Sequence, residues 1–252
     1  MQRLTARDEF IHAFRFLSDD IIVVANTTDK ASLDLFALPE LRGDTGLMPM
    51  TKVAKLLLPD PCGRDINELT FSNPPAKNGI ARGSRHDVAG SVKPFINSSN
   101  NIICCCASVD DIHSDSYSYS LFVHSSTLLR HAVAHDFKLI RWDQWGQTAR
   151  IDSEIDFPAV FFSGQRCISW DGEIWDFNQH RVKQLGLGFA MKTETAHISV
   201  VSGKSFAIWA HSDTVPSSLP YVRTVLKASG FTWLEDDRIF VVGARRFPHS
   251  SF

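Results

Sequence analysis

"FRFLSDDIIVVAN", residues 14–26, and "FTWLEDDRIFVVG", residues 231–243, are nearly the same statement made twice. Phe14 aligns with Phe231, Phe16 with Trp233, Leu17 with Leu234, Asp19 and Asp20 with Asp236 and Asp237, and Ile22 with Ile239. The offset is 231 − 14 = 217 residues. Each copy reads as an aromatic strand, a turn at the paired aspartates and an aliphatic strand. Aromatic and β-branched side chains suit a pleated, half-buried surface, and Asp suits a tight turn.

Working outward, strand-length runs recur along the chain: "SLDLFAL", "NIICCCASV", "YSYSLFVH", "AVFF", "CISW", "EIWDF", "HISVV" and "FAIWA". None keeps a helical apolar period over eleven residues. Between them "SGQR" (163–166), "WDGE" (170–173) and "VSGK" (201–204) supply the glycines that tight hairpins use. A second spacing joins Leu35-Phe36, Leu121-Phe122 and Ile174-Trp175, at offsets of 121 − 35 = 86 and 174 − 121 = 53 residues. The value 86 is twice 43, and 217 is close to five times 43. About 40 to 45 residues is the period of a four-stranded propeller blade. The sequence therefore predicts an all-β, propeller-like fold of about five to six blades, some irregular or incomplete, in a single domain over 1–252. Residues 73–94, "NPPAKNGIARGSRHDVAGSVKP", are predicted to be an exposed loop insertion, being rich in breakers and poor in apolar residues.

Composition narrows the partners. Lys and Arg number 26 against 28 acidic residues, with neither sign in long blocks, so no footprint for nucleic acid or anionic lipid is expected. The longest aliphatic run, "IIVVA", is too short to span a bilayer, and "MQRLTARDEF" lacks the apolar stretch of a signal peptide. These features predict a cytoplasmic or nuclear protein without membrane contact. The five cysteines (Cys62, Cys104, Cys105, Cys106 and Cys167) are odd in number and are expected to be free thiols.

The candidate chemistry is thin. "HAVAHD" sets His131 and His135 four apart beside Asp136, with His124 seven upstream of His131. A third metal ligand and a catalytic Glu are missing, and a solvated loop is expected there. On a strand, Cys104 and Cys106 face one way and Cys105 the other, so the three cannot hold one ion together. There is no G-x-S-x-G, and "GLGFA" (186–190) is read as a turn rather than a phosphate loop. No catalytic residue, metal or cofactor is expected, and an enzyme is not. Trp142 and Trp145 in "RWDQWG" are the candidate protein-binding residues, since aromatics anchor both sheet cores and interfaces.

"FRFLSDDIIVVANTTDKASLDLFAL", "WDQWGQTAR", "WDFNQHRV", "SSLPYVRT" and "WLEDDRIFVVG", in that order, resemble the C-terminal region of the F-box proteins of mushroom-forming fungi. The resemblance spans Phe14 to Val242. It implies a propeller-like module that recruits a substrate to a cullin-type ubiquitin ligase, while a separate helical F-box binds the adaptor Skp1. Where that family reads Trp-Gly-Pro followed by Asn-Thr-Arg-Trp, this chain has Trp145-Gly146-Gln147-Thr148-Ala149-Arg150. The thirteen residues before Phe14 are too few for a helical F-box, so Skp1 binding is not expected from this chain alone. The sequence thus predicts a protein-binding, substrate-recognition module. The alternatives are a propeller-fold hydrolase or lyase acting at a central channel, and a truncated, non-functional remnant.

Overall fold

The computed structural model describes residues 14–28, 30–39, 49–60, 65–72, 101–110, 116–133, 136–152, 161–169, 173–186, 191–192, 196–202, 205–209, 213–226, 230–235 and 238–243. The predicted loop at 73–94, Cys62 and His135 lie outside them. Within them the protein is mostly β-sheet, as the alternating runs predict.

The first sheet is an antiparallel meander of β1 (Phe14–Phe16), β2 (Ile21–Asn26), β3 (Ser32–Ala37) and β4 (Thr51–Leu57). Asp19 and Asp20 sit between β1 and β2 as expected; Ser18 Oγ donates to Asp20 Oδ1 at 2.5 Å, and Leu17 N to Ile21 O at 2.9 Å. The second sheet repeats the pattern with β5 (Ile66–Phe71), β6 (Ile102–Asp110) and β7 (Ser116–His124). A helix α1 (Ser125–Ala132) follows. Then β8 (Lys138–Ile140) returns to the first sheet, pairing in parallel with β4. After a single turn α2 (Trp142–Trp145) and a 3-10 turn at Gly146–Thr148, β9 (Ala149–Asp152) completes the second sheet beside β7.

The third sheet opens with β10 (Phe161–Ser163), β11 (Arg166–Ile168) and β12 (Glu173–Asp176). Gly164 turns β10 into β11 at φ 59, a left-handed conformation that favours glycine. Helix α3 (Gln179–Gly186), β13 (Met191–Lys192) and β14 (Ala196–Val201) come next, and then the hairpin of β15 (Ser205–Trp209) with β16 (Asp213–Ser217). Strand β17 (Tyr221–Leu226) inserts between β12 and β14. The last described element is the hairpin of β18 (Gly230–Glu235) with β19 (Arg238–Gly243). No sheet among the described residues closes on itself.

The three sheets pack face to face, with the second in the middle, and β6 shows why. Its period of two sends Ile103, Cys105, Ala107 and Val109 into the core shared with the first sheet, beside Leu33, Leu35 and Leu56. It sends Ile102, Cys104 and Cys106 into the core shared with the third, beside Cys167, Trp175 and Phe177. A strand covered on both faces has no solvent side, so its sequence runs continuously apolar. The expected split of Cys104 and Cys106 from Cys105 is what β6 displays, and the four described cysteines are free thiols.

The recurring Leu-Phe, Leu-Phe and Ile-Trp pairs fall on β3, β7 and β12, each the third strand of its own meander. The equivalence holds for elements and not for residues. Leu35 faces the second sheet, the next in the stack, whereas Leu121 faces the first, the previous one. Trp175 faces back to the second sheet and Ile174 away from it. A slip of one residue exchanges the faces of a strand. The opening repeat slips likewise: Phe14 pairs with Val24, but Phe231 pairs with Val242.

Two expectations need correction. "HAVAHD" does not begin as a solvated loop: His131 occupies the last turn of α1, and His124 is the buried N-cap. Only eight residues long, α1 is too short to show an eleven-residue period. "VSGK" does not close a hairpin either, because β14 pairs with β17 while β15 pairs with β16.

Candidate functional site

"RWDQWG" folds as α2, tied shut by Arg141 N donating to Gln144 Oε1 at 3.0 Å. Trp145 is 1% exposed and donates its indole N–H to Leu57 O at 3.0 Å, fastening α2 to the end of β4. Trp142 is half-buried against the same core, edge-on to Trp145 with ring centroids 4.8 Å apart. Its Nε1 is buried without a hydrogen-bond partner among the described residues. A Cβ at Gly146 would overlap the Trp142 ring, so any larger residue forces that ring to move. Of the two sequence candidates, Trp145 is a core anchor and Trp142 lies half-buried beside it.

A second cluster, which the sequence reading passed over, lies where the second and third sheets meet. On β9, Arg150 and Asp152 point with Phe122 toward the third sheet. Arg150 is 6% exposed; its guanidinium lies 4.6 Å from the Tyr221 ring centroid, and its Nε is 3.8 Å from Asp152 Oδ2. Tyr221 stacks on Trp175 at 4.6 Å. Arg223, directly across from Trp175, grips both oxygens of Glu173, with Nε donating at 2.7 Å to Oε2. Trp175 Nε1 donates to the same Oε2 at 3.2 Å. On the opposite face of the third sheet, Asp176 Oδ2 accepts from Arg166 Nε at 3.0 Å and Arg181 Nη1 at 3.1 Å.

Burial disfavours the charged form of each acid at this interface. It pushes the Tyr221 phenol well up, Arg150 opposing and Asp152 adding to the rise. It pushes the Cys167 thiol up too, with Asp152 contributing. The phenol and the thiol stay protonated at neutral pH, and Glu173 and Asp176 already accept hydrogen bonds from arginines. The arrangement cross-links sheets and holds charge in balance.

The signal for this cluster was masked in the sequence. "ARID" alternates apolar and charged residues, which reads as one buried and one wet face. Here β9 is covered on both. At the first candidate metal position, His131 has its imidazole pKa lowered by partial burial and then by Arg130 and Lys138. No group of three metal-ligating side chains meets among the described residues, and no described helix is long and apolar enough to cross a membrane.

Comparison with protein-family models, with curated proteins and with solved structures gave no match.

Proposed function

We propose that this chain is a protein-binding module with a propeller-like arrangement of sheets, serving as the substrate-recognition part of an F-box-type adaptor. Successive meanders packed face to face, each presenting its third strand at the recurring Leu-Phe or Ile-Trp pair, support the propeller-like reading. The resemblance to the C-terminal region of fungal F-box proteins supports the adaptor role, in the cytoplasm or nucleus.

The observation that carries the binding role is apolar surface at both edges of the first sheet. Phe14 and Phe16 stand 46% and 41% exposed on β1. Near the other edge Phe137 and Leu139 are each 55% exposed and Val133 is 78% exposed. Phe137 and Leu139 are two apart on an extended segment and so share a face. Each edge thus carries a pair of exposed large apolar side chains, Phe14 with Phe16 and Phe137 with Leu139, and apolar surface of this kind supports an interaction role. The partner is a protein whose identity the binding experiment supplies. The enzymatic alternative needs a free acid or base in a cleft. The carboxylates Glu173 and Asp176 are instead engaged by arginines.

The test is affinity purification from a basidiomycete extract with mass-spectrometric identification, comparing the chain with Phe137→Asp/Leu139→Asp. A protein retained by the parent and lost from the folded double variant supports the reading. Identical retention by both, or retention of nothing, counts against it.

A further inference from the structure

The exposed apolar groups on β8 stand among cations. Strand β8 is an edge of the first sheet and, among the described residues, pairs only with β4. Phe137 and Leu139 share one face of this segment, and Lys55 lies beside Leu139 in the β4 register. Arg130, Lys138 and Arg141 are exposed, and none of these four cations is in an ion pair among the described residues. Partial burial, then the charges of Arg130 and Lys138, lower the His131 pKa, which sets both cations around one imidazole. Counted against Asp136 and Asp143, the four cations leave two positive charges in surplus, on a chain whose formal net charge is -2. Arg130, in the last turn of α1, also answers the helix dipole, but Lys138 and Arg141 lie outside that helix.

From this juxtaposition we infer that the outer edge of β8 receives an extended acidic segment of the partner protein, added as a further strand with its apolar side chains beside Phe137 and Leu139 and its carboxylates toward the cations. An edge strand presents unpaired N–H and C=O groups, which a peptide strand satisfies and a lipid surface does not. Main-chain pairing supplies affinity, and the alternating side chains supply selectivity. A segment that alternates apolar and acidic residues matches Phe137, Lys138 and Leu139 position by position. The inference rests on the protein-binding reading and specifies the chemistry of the partner at that same edge.

The test is fluorescence anisotropy of the full chain with a labelled, end-blocked peptide alternating Val and Glu over about six residues, an ordinary strand length. This peptide should bind, more weakly as salt is raised, and a Val/Lys peptide should not. Arg130→Glu/Lys138→Glu should weaken binding about tenfold and gain affinity for the Val/Lys peptide, a reversal that loss of folding cannot produce. On the parent chain, N-methylation of one set of alternate peptide residues should abolish binding, and of the other set should be tolerated. No binding of the Val/Glu peptide, equal binding of both peptides, indifference to either N-methylation, binding to phosphatidylserine vesicles in place of the peptide, or dimerisation of the chain that Phe137→Asp/Leu139→Asp abolishes overturns the inference. An extract protein retained by the parent and by Arg130→Glu/Lys138→Glu, but lost from Phe137→Asp/Leu139→Asp, upholds the binding reading and overturns this one.

Discussion

The two sheet interfaces bury similar strands with different chemistry. Between the first and second sheets the core is largely aliphatic, with Leu33, Leu35, Leu56, Ile103, Leu121 and Ile151 at its centre. Between the second and third it is aromatic and sulfur-bearing, with Phe122, Trp175, Phe177, Tyr221, Cys104 and Cys167, bounded by Arg150, Asp152, Glu173 and Arg223. Aliphatic packing is non-directional and fills volume without fixing ring angle or charge geometry. Stacked rings and paired charges fix distance and orientation. The first interface therefore supplies bulk stability, and the second also sets how neighbouring sheets align.

The largest effect that would sharpen this contrast is Phe122→Ala. Phe122 is fully buried and stacks on Phe177 at 5.1 Å and against Trp175 at 5.7 Å. Its loss should cost about 3–5 kcal/mol in urea unfolding, at the upper end of what Leu35→Ala costs across the first interface. A smaller cost than Leu35→Ala would break the ranking.

Gly146→Ala tests the other side. The added methyl cannot coexist with the Trp142 ring, so α2 must shift and the Trp145 bond to Leu57 with it. About 1–3 kcal/mol should be lost, with near-ultraviolet circular dichroism changing in step. Glu173→Gln should cost about 1–3 kcal/mol, discounted because the Arg223 side chain is 40% exposed. Unchanged stability in Glu173→Gln would remove the charged bracket from the account.

The strands and their succession were legible because alternation, the Asp-Asp turn and "CCC" each follow from one local rule. The Leu-Phe and Ile-Trp pairs do fall on strands, but the 86 residues between Leu35 and Leu121 separate neighbouring sheets and not two blades of 43 residues. What was hidden is non-local. Strand β8 joins β4 in parallel across more than 80 residues; α1 and α3 are too short to show a period; and Arg150 is charged yet buried because two sheets cover β9. The one-residue slips were invisible because pattern matching aligns letters, whereas faces depend on register.

Alkaline pH should act through the second interface more than the first. The Tyr221 and Cys167 acids have folded pKa values raised above their unfolded ones. Each therefore binds its proton more tightly when folded, so their contribution is complete below the unfolded pKa and declines as pH rises past it. Stability should fall from about pH 8.5 for the thiol and about pH 10 for the phenol. Tyr221→Phe should flatten the upper part of the profile, and an unchanged slope would remove Tyr221 from it. The smallest effect concerns His131, whose pKa is lowered in the fold: stability should weaken slightly as pH drops below about 6.5, and His131→Gln should abolish that slope.

The central claim is that the second sheet turns one face to each neighbour. Double-mutant cycles in urea test it most directly. Phe122→Ala and Trp175→Ala, in contact across the second interface, should couple by more than about 0.5 kcal/mol. Phe122→Ala and Leu35→Ala, on opposite sides of the second sheet, should be additive within about 0.5 kcal/mol. Strong coupling of Phe122 to Leu35 together with additivity between Phe122 and Trp175 would contradict the stacking order and the account built on it.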